Sequence, residues 1–177
     1  VDLDGTVNIS LYQRYPVARV IAPGGYDFYI TSDHYILPAA GYPPQFIPVV
    51  TGEFGLPFYI GFEGGFDSLS DGDQKKSDKN YIFLSKLINF VNYIISEDFW
   101  RSQIVQINVG QSSFGTNGDY YVTLIPRLGD HVIELGPLDG YRNKLHRLMV
   151  FYRQAVPAEG WSKWNNICLE YDGQVVC

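Results

Sequence analysis

The sequence predicts an α+β fold, a mostly antiparallel sheet carrying two main helices. Three observations point there. Short runs rich in β-branched and aromatic residues recur between clusters of Gly, Pro, Asn and Asp, the pattern of strands punctuated by turns. Two longer stretches, 79–95 and 139–155, instead repeat their apolar residues at helical spacing. Strands and helices do not alternate regularly, which argues against a doubly wound parallel sheet.

In chain order, residues 6–21 read as a strand interrupted at Pro16. Gly24-Gly25 turns the chain into a second strand, Tyr26–Thr31, and Asp33 is the turn residue before a short third, Tyr35–Leu37. The Pro-rich stretch 38–52 is expected to be extended, with a short strand at Phe46–Val50. Residues 61–80, rich in Gly and in charges of both signs, read as a solvated loop. Ser77 or Asp78 can cap the first helix, whose apolar face holds Ile82, Phe83, Leu87, Phe90, Val91 and Ile94. A turn at Glu97–Trp100 leads to a strand over Gln103–Val109. Asp119–Ile125 and His131–Leu135 alternate around Arg127–Asp130, a β-hairpin with Gly129 in its turn. The second helix turns Leu145, Leu148, Met149 and Tyr152 inward. Last, Asp172-Gly173 between Asn165–Tyr171 and Gln174–Val176 signals a terminal hairpin. No internal repeat is visible.

Composition narrows the function classes. The 177 residues, 46% hydrophobic and 16% aromatic, suffice for one cored domain, or one domain plus a fragment. Only 18% are charged, which excludes a coiled coil, and the apolar content excludes disorder. Thirteen Lys and Arg against 19 Asp and Glu, with no basic block, suit the chain poorly to nucleic acid or an anionic membrane surface, and no nucleic-acid partner is expected. Two cysteines build neither a zinc ribbon nor a disulfide scaffold, and His34, His131 and His146 form no ligand-spaced pair; no metal and no cofactor is expected. The longest uncharged run, Tyr35–Gly52, contains Pro38, Pro43, Pro44 and Pro48, which would break a spanning helix. The chain begins at Val1, not Met, so the expectation is a soluble piece of a longer protein.

Catalytic patterns do not survive their contexts. Asp2-Leu3-Asp4-Gly5-Thr6 resembles the first motif of haloacid-dehalogenase phosphatases, in which the first Asp is the nucleophile and the second a general acid. That chemistry also needs a buried strand before the motif and a later acidic pair for magnesium, and Gly72-Asp73 lies in a mixed-charge loop. Ser112-Ser113 sits among glycines, with no Gly-x-Ser-x-Gly elbow. His131, although beside Asp130, reads as a surface or cross-strand residue, and Glu134 and Glu170 lie on different strands. No catalytic residue is assigned. A two-residue Asp172-Gly173 turn sets Tyr171 opposite Gln174, Glu170 opposite Val175, Leu169 opposite Val176 and Cys168 opposite Cys177. A disulfide is then open to the pair in an oxidising compartment; the alternative is that Cys168 is a small core residue.

The order of these motifs resembles the FtsQ (DivIB) family of cell-division proteins. Leu11-Tyr12-Gln13-Arg14-Tyr15-Pro16-Val17-Ala18-Arg19 looks like the last strand of that family's POTRA domain, and the Gly-bearing strand Tyr26–Pro38 follows. Pro48-Val49-Val50-Thr51-Gly52 is similar to its Leu-Pro-x-Leu-x-Gly segment. Thr123-Leu124, Arg127-x-Gly129 and Ile133-x-Leu135-Gly136 match its hairpin, Lys144-Leu145 through Phe151-Tyr152 its helix, and Ile167–Val176 its terminal hairpin. The sequence departs from the family in its long helical insert at 77–100 and in Glu170, where better-known members carry a basic residue before the Tyr.

The resemblance implies a curved, FtsQ β-domain-like sheet. Residues 1–20 would be the terminal strand of a truncated POTRA domain and 21–177 the β domain. It implies the periplasmic domain of a single-pass inner-membrane protein, touching the membrane only through an N-terminal anchor outside this sequence. Such a domain is a division scaffold without catalysis or small-molecule substrate, and it binds FtsB and FtsL by strand addition at its C-terminal sheet edge. Carried over by position, the partner-binding residues are Glu170, Tyr171, Gly173, Gln174, Val175 and Val176. The rival readings are another periplasmic POTRA-associated module for secretion or envelope assembly, and the phosphatase. Residues 174–177 read Gln-Val-Val-Cys, an edge without charge or Pro to guard it. Without the rest of its domain, Val1–Val20 is expected as an added or dangling strand.

Overall fold

In the computed structural model, residues 7, 9–41, 46–70, 78–111, 120–171 and 173–177 are described. Nine strands among them form a single sheet: β1 (Pro16–Ala22), β2 (Tyr26–Thr31), β3 (Tyr35–Pro38), β4 (Val49–Gly52), β5 (Gly64–Gly65), β6 (Ile104–Gln111), β7 (Tyr120–Pro126), β8 (Val132–Gly136) and β9 (Asn166–Cys168). Their order is β5-β3-β2-β1-β4-β6-β7-β8-β9. The pairs β1–β4, β4–β6 and β8–β9 are parallel and the others antiparallel. Two main helices, α1 (Lys79–Ser96) and α3 (Tyr141–Glu159), flank a short α2 (Asp98–Gln103). The fold is α+β, mostly antiparallel with two main helices, as the sequence predicts.

One row of apolar residues fixes the register of seven of the nine strands. Phe28, Val20, Val50, Ile107, Leu124, Ile133 and Ile167 are successive cross-strand partners from β2 to β9. All but Phe28 are fully buried, and Phe28 is nearly so. A slip of one residue in any strand would turn its member of the row to the other face, so burial specifies the pairing. Each such side chain contributes about 1.5–3 kcal/mol through removal from water. The opposite face carries the row Asp27, Ile21, Thr51, Asn108, Thr123, Glu134 and Cys168. Polar side chains there satisfy one another: Gln106 Nε2 donates to Thr51 Oγ1 at 2.9 Å and Asn166 Nδ2 to Glu134 Oε1 at 2.7 Å.

The helices cover the apolar face. Asp78 caps α1 by accepting the Asn80 N–H at 2.7 Å, and Phe83, Leu84, Leu87, Ile88, Phe90, Val91 and Ile94 are buried at helical spacing. In α3 the buried residues are Lys144, Leu145, Leu148 and Tyr152, while Met149 is partly buried against the core. The buried Lys144 ammonium donates to the carbonyls of Leu135 at 3.0 Å and Pro137 at 2.7 Å, tying the start of α3 to the end of β8. Tyr120 on β7 reaches α1 by donating to Asn80 Oδ1 at 2.8 Å.

Several expectations need correction. The strand read over 6–21 starts only at Pro16, and from there it is no dangling segment: β1 lies inside the sheet between β2 and β4, with Val17, Ala18 and Val20 buried. The short strand near 46–50 is displaced to Val49–Gly52, and the loop over 61–80 contains β5 and a 3₁₀ turn at Phe66–Ser70. Glu97–Trp100 is the start of α2, with Trp100 buried, not a free turn. The residues of the phosphatase-like motif, Asp2 to Thr6, and Asp73, Ser112 and Ser113 lie outside the described residues.

His131 is also corrected, from surface to interior. It is 2% exposed, and its Nε2 lies 2.6 Å from the Tyr152 hydroxyl of α3. Burial holds its pKa below the ordinary 6.5, against the smaller opposing effects of the Trp161 carbonyl and Asp130. The folded state thus keeps His131 neutral while the unfolded state takes up a proton below pH 6.5. The stability linked to His131 is full above that pH and is lost as pH falls toward the depressed folded value. Urea unfolding at pH 7.5 and 5.5 is expected to show a loss of about 1 kcal/mol on acidification that His131→Gln abolishes. Equal losses in wild type and variant would remove His131 as the cause.

Candidate functional site: the C-terminal sheet edge

The site forms where the sheet ends. β9 lies parallel to β8, with Val132, Ile133 and Glu134 paired to Asn166, Ile167 and Cys168, and Leu169 N–H extends the ladder to the Glu134 carbonyl at 2.9 Å. The chain then turns, Gln174 N–H donating to the Tyr171 carbonyl at 3.4 Å with Gly173 at φ +72°. Val176 closes back on Cys168 with two hydrogen bonds: Cys168 N–H to the Val176 carbonyl at 2.7 Å, and Val176 N–H to the Cys168 carbonyl at 3.0 Å.

This register differs from the expected one. The turn closes between Tyr171 and Gln174 as expected, but Leu169 and Glu170 together then oppose Val175, a β-bulge, so Cys168 faces Val176 and not Cys177. The terminal hairpin is accordingly one short strand and a single bridge. Cys177 falls one place beyond the partner of Cys168, and alternation turns its side chain to the other face of the sheet. Both cysteines are free, and burial raises both thiol pKa values, which keeps them protonated and weakly nucleophilic. Non-reducing peptide mapping after incubation with oxidised glutathione is expected to find no Cys168–Cys177 bridge; a bridged peptide as the main product would contradict this register.

The six residues selected from sequence all lie on this turn and its return limb. Tyr171 is 60% exposed and Val176 44%, Glu170, Gly173 and Gln174 are exposed, and Val175 packs partly against the core. Because Val176 gives both its peptide groups to Cys168, the N–H and C=O of Val175 and Cys177 point away from β9. These are the unpaired groups of the sheet's last edge. Glu170 lies over Gly136, where an added Cβ would stand 3.6 Å from the Glu170 Cβ and Cγ. Tyr121 lies nearby: burial, then Glu134, Cys168 and Glu170, push its phenol pKa well up, so the phenol stays neutral.

Sequence reasoning missed Arg147. From α3 its Nη2 donates to the carbonyls of Leu169 at 2.8 Å and Tyr171 at 3.1 Å, on either side of Glu170. An Arg in an amphipathic helix carries no local mark of the main-chain groups it will reach. Among the described residues no group of three or more His, Cys, Asp or Glu is placed to hold a metal ion. None of the described helices is long and apolar enough to cross a membrane. What the arrangement offers chemically is main-chain hydrogen bonding at an open edge beside exposed aromatic and aliphatic side chains.

No curated protein matches the chain. The family described as "FtsQ/DivIB, C-terminal related" matches residues 15–177, which includes β1, the whole sheet and the terminal edge. With all but the first fourteen residues covered, the chain belongs to the FtsQ/DivIB C-terminal-related family, and this membership points to a role in cell division.

Proposed function

We propose that this chain is a non-catalytic, extracytoplasmic scaffold of the bacterial divisome that binds FtsB- and FtsL-type division proteins by strand addition at its C-terminal edge. The observation that carries the reading is the outward direction of the Val175 and Cys177 peptide groups on an edge with neither Pro nor charge at 174–177. A partner strand laid there gains main-chain hydrogen bonds, while Tyr171 and Val176 provide side-chain selectivity. Glu170, Gly173, Gln174 and Val175 complete the contact. In this reading the chain is the periplasmic part of a single-pass inner-membrane protein, with residues 1–20 the end of a truncated POTRA-type domain and residues 21–177 the β domain.

Family membership supports the divisome setting, and the edge supports the mode of binding. The test is a titration of the extracytoplasmic segment of the FtsB-type protein from the same genome against the full 177-residue chain and a chain lacking residues 174–177. The deletion is expected to weaken binding by about 100-fold or more, since it removes the Val175 and Cys177 peptide groups together with the Val175 and Val176 side chains. Equal affinity for both chains would overturn the proposal.

A further inference from the structure

Arg147 is held in an arrangement that stability alone does not explain. Its Nε is buried with no hydrogen-bond partner, and it joins none of the ion pairs among the described residues. A guanidinium placed so gives up solvation that two carbonyl bonds replace only in part. Those two carbonyls, however, lie at the bulge, one within it and one just after it. Leu169 is the first of the two residues that oppose Val175 and Tyr171 follows the second, Glu170; the Tyr171 carbonyl accepts both Arg147 Nη2 at 3.1 Å and the turn-closing Gln174 N–H at 3.4 Å. One atom thus couples α3 to the start of the return limb.

We propose that Arg147 is a positioning residue for the docking edge: by gripping the bulge it sets the register in which Val175 and Cys177 turn their peptide groups outward. The inference rests on the strand-addition reading. Beyond the turn, a single bridge between Cys168 and Val176 ties the return limb back, and a limb held so sparsely is open to slippage. Relaxing the bulge by one residue would set Cys168 opposite Cys177, so that the edge groups presented to a partner would change. Within the return limb little opposes this slip: Gln174 and Val176 are exposed, and Val175 is packed only in part against the core. The grip on Leu169 and Tyr171 does prevent it, because the bulge places both carbonyls where one guanidinium nitrogen reaches them.

The experiment compares wild type, Arg147→Met and Arg147→Lys in the full chain, reading three quantities: the urea midpoint, the hydrogen exchange of the Val176 amide, and affinity for the FtsB-type segment. Arg147→Met keeps an apolar stem and removes the unpartnered buried nitrogen, so the midpoint is expected to stay near wild type. Val176 exchange should accelerate and affinity should fall, each by about 10-fold or more, as expected for loss of local order. Arg147→Lys, able to reach one carbonyl, should lie between. Unchanged Val176 exchange in the Met variant overturns the proposal. So does faster exchange with unchanged affinity, provided that Val175→Pro still abolishes binding. If Val175→Pro leaves affinity unchanged too, the strand-addition reading itself has failed.

Discussion

Val175→Pro is expected to abolish partner binding while the domain stays folded. The Val175 N–H faces away from β9, so proline at this position removes a donor that the free protein does not use internally. In a complex built by strand addition the same change deletes a main-chain hydrogen bond and sets the pyrrolidine ring against the incoming strand. The combined cost is about 3 kcal/mol, on the order of 100-fold in Kd. Val176→Pro is the contrasting variant, since the Val176 N–H donates to the Cys168 carbonyl and its loss opens the bridge from within. Protection of the Val176 amide should therefore survive in Val175→Pro. Wild-type affinity in a Val175→Pro chain with that protection intact would exclude the edge as the docking surface.

The second large effect is on stability. Gly52→Ala should destabilise the domain by about 4 kcal/mol, combining left-handed backbone strain with overpacking. Gly52 ends β4 at φ +126°, paired with Val109, and a Cβ there would stand 1.8 Å from the Val109 carbonyl oxygen. The clash is with main chain in mid-sheet, so no rotamer change relieves it. Gly25→Ala separates the two contributions, because Gly25 also has positive φ, at +89°, but nothing lies within 4 Å of its added Cβ. That variant should lose only about 1 kcal/mol. Urea unfolding of both decides the matter, and similar midpoints for the two variants would show that the close approach to Val109 is relieved by relaxation.

The contrast between what could and could not be read from sequence follows the range of the interactions. Tyr26–Thr31, the Asp78 cap, the apolar face of α1 and the hairpin at Gly129 are all written in residues a few positions apart, and local periodicity recovers them. The parallel pairing of β9 with β8 is not, because α3 separates the two strands and nothing in Asn166–Cys168 names its partner. His131 reads as exposed from its place beside Asp130 at a turn; only the packing of Tyr152 and Trp161 around it makes it interior. At the site, the Asp-Gly signal located the turn between Tyr171 and Gln174. The bulge at Leu169 and Glu170 escaped, because it depends on β8 and Arg147, both remote in sequence.

The position of β4 bears on how the chain reaches this structure. On one side of it β1, β2 and β3 are joined by short turns, and on the other β6, β7 and β8 form a second meander. Each block can assemble from neighbouring segments, whereas β4, four residues long and parallel to both β1 and β6, pairs only with strands distant in sequence. Loop-closure entropy delays such pairings, so the two meanders are poised to form early and β4 to join them late. Until it does, the edges of β1 and β6 stand open, and the growing chain carries two unpaired strand edges that the mature domain conceals.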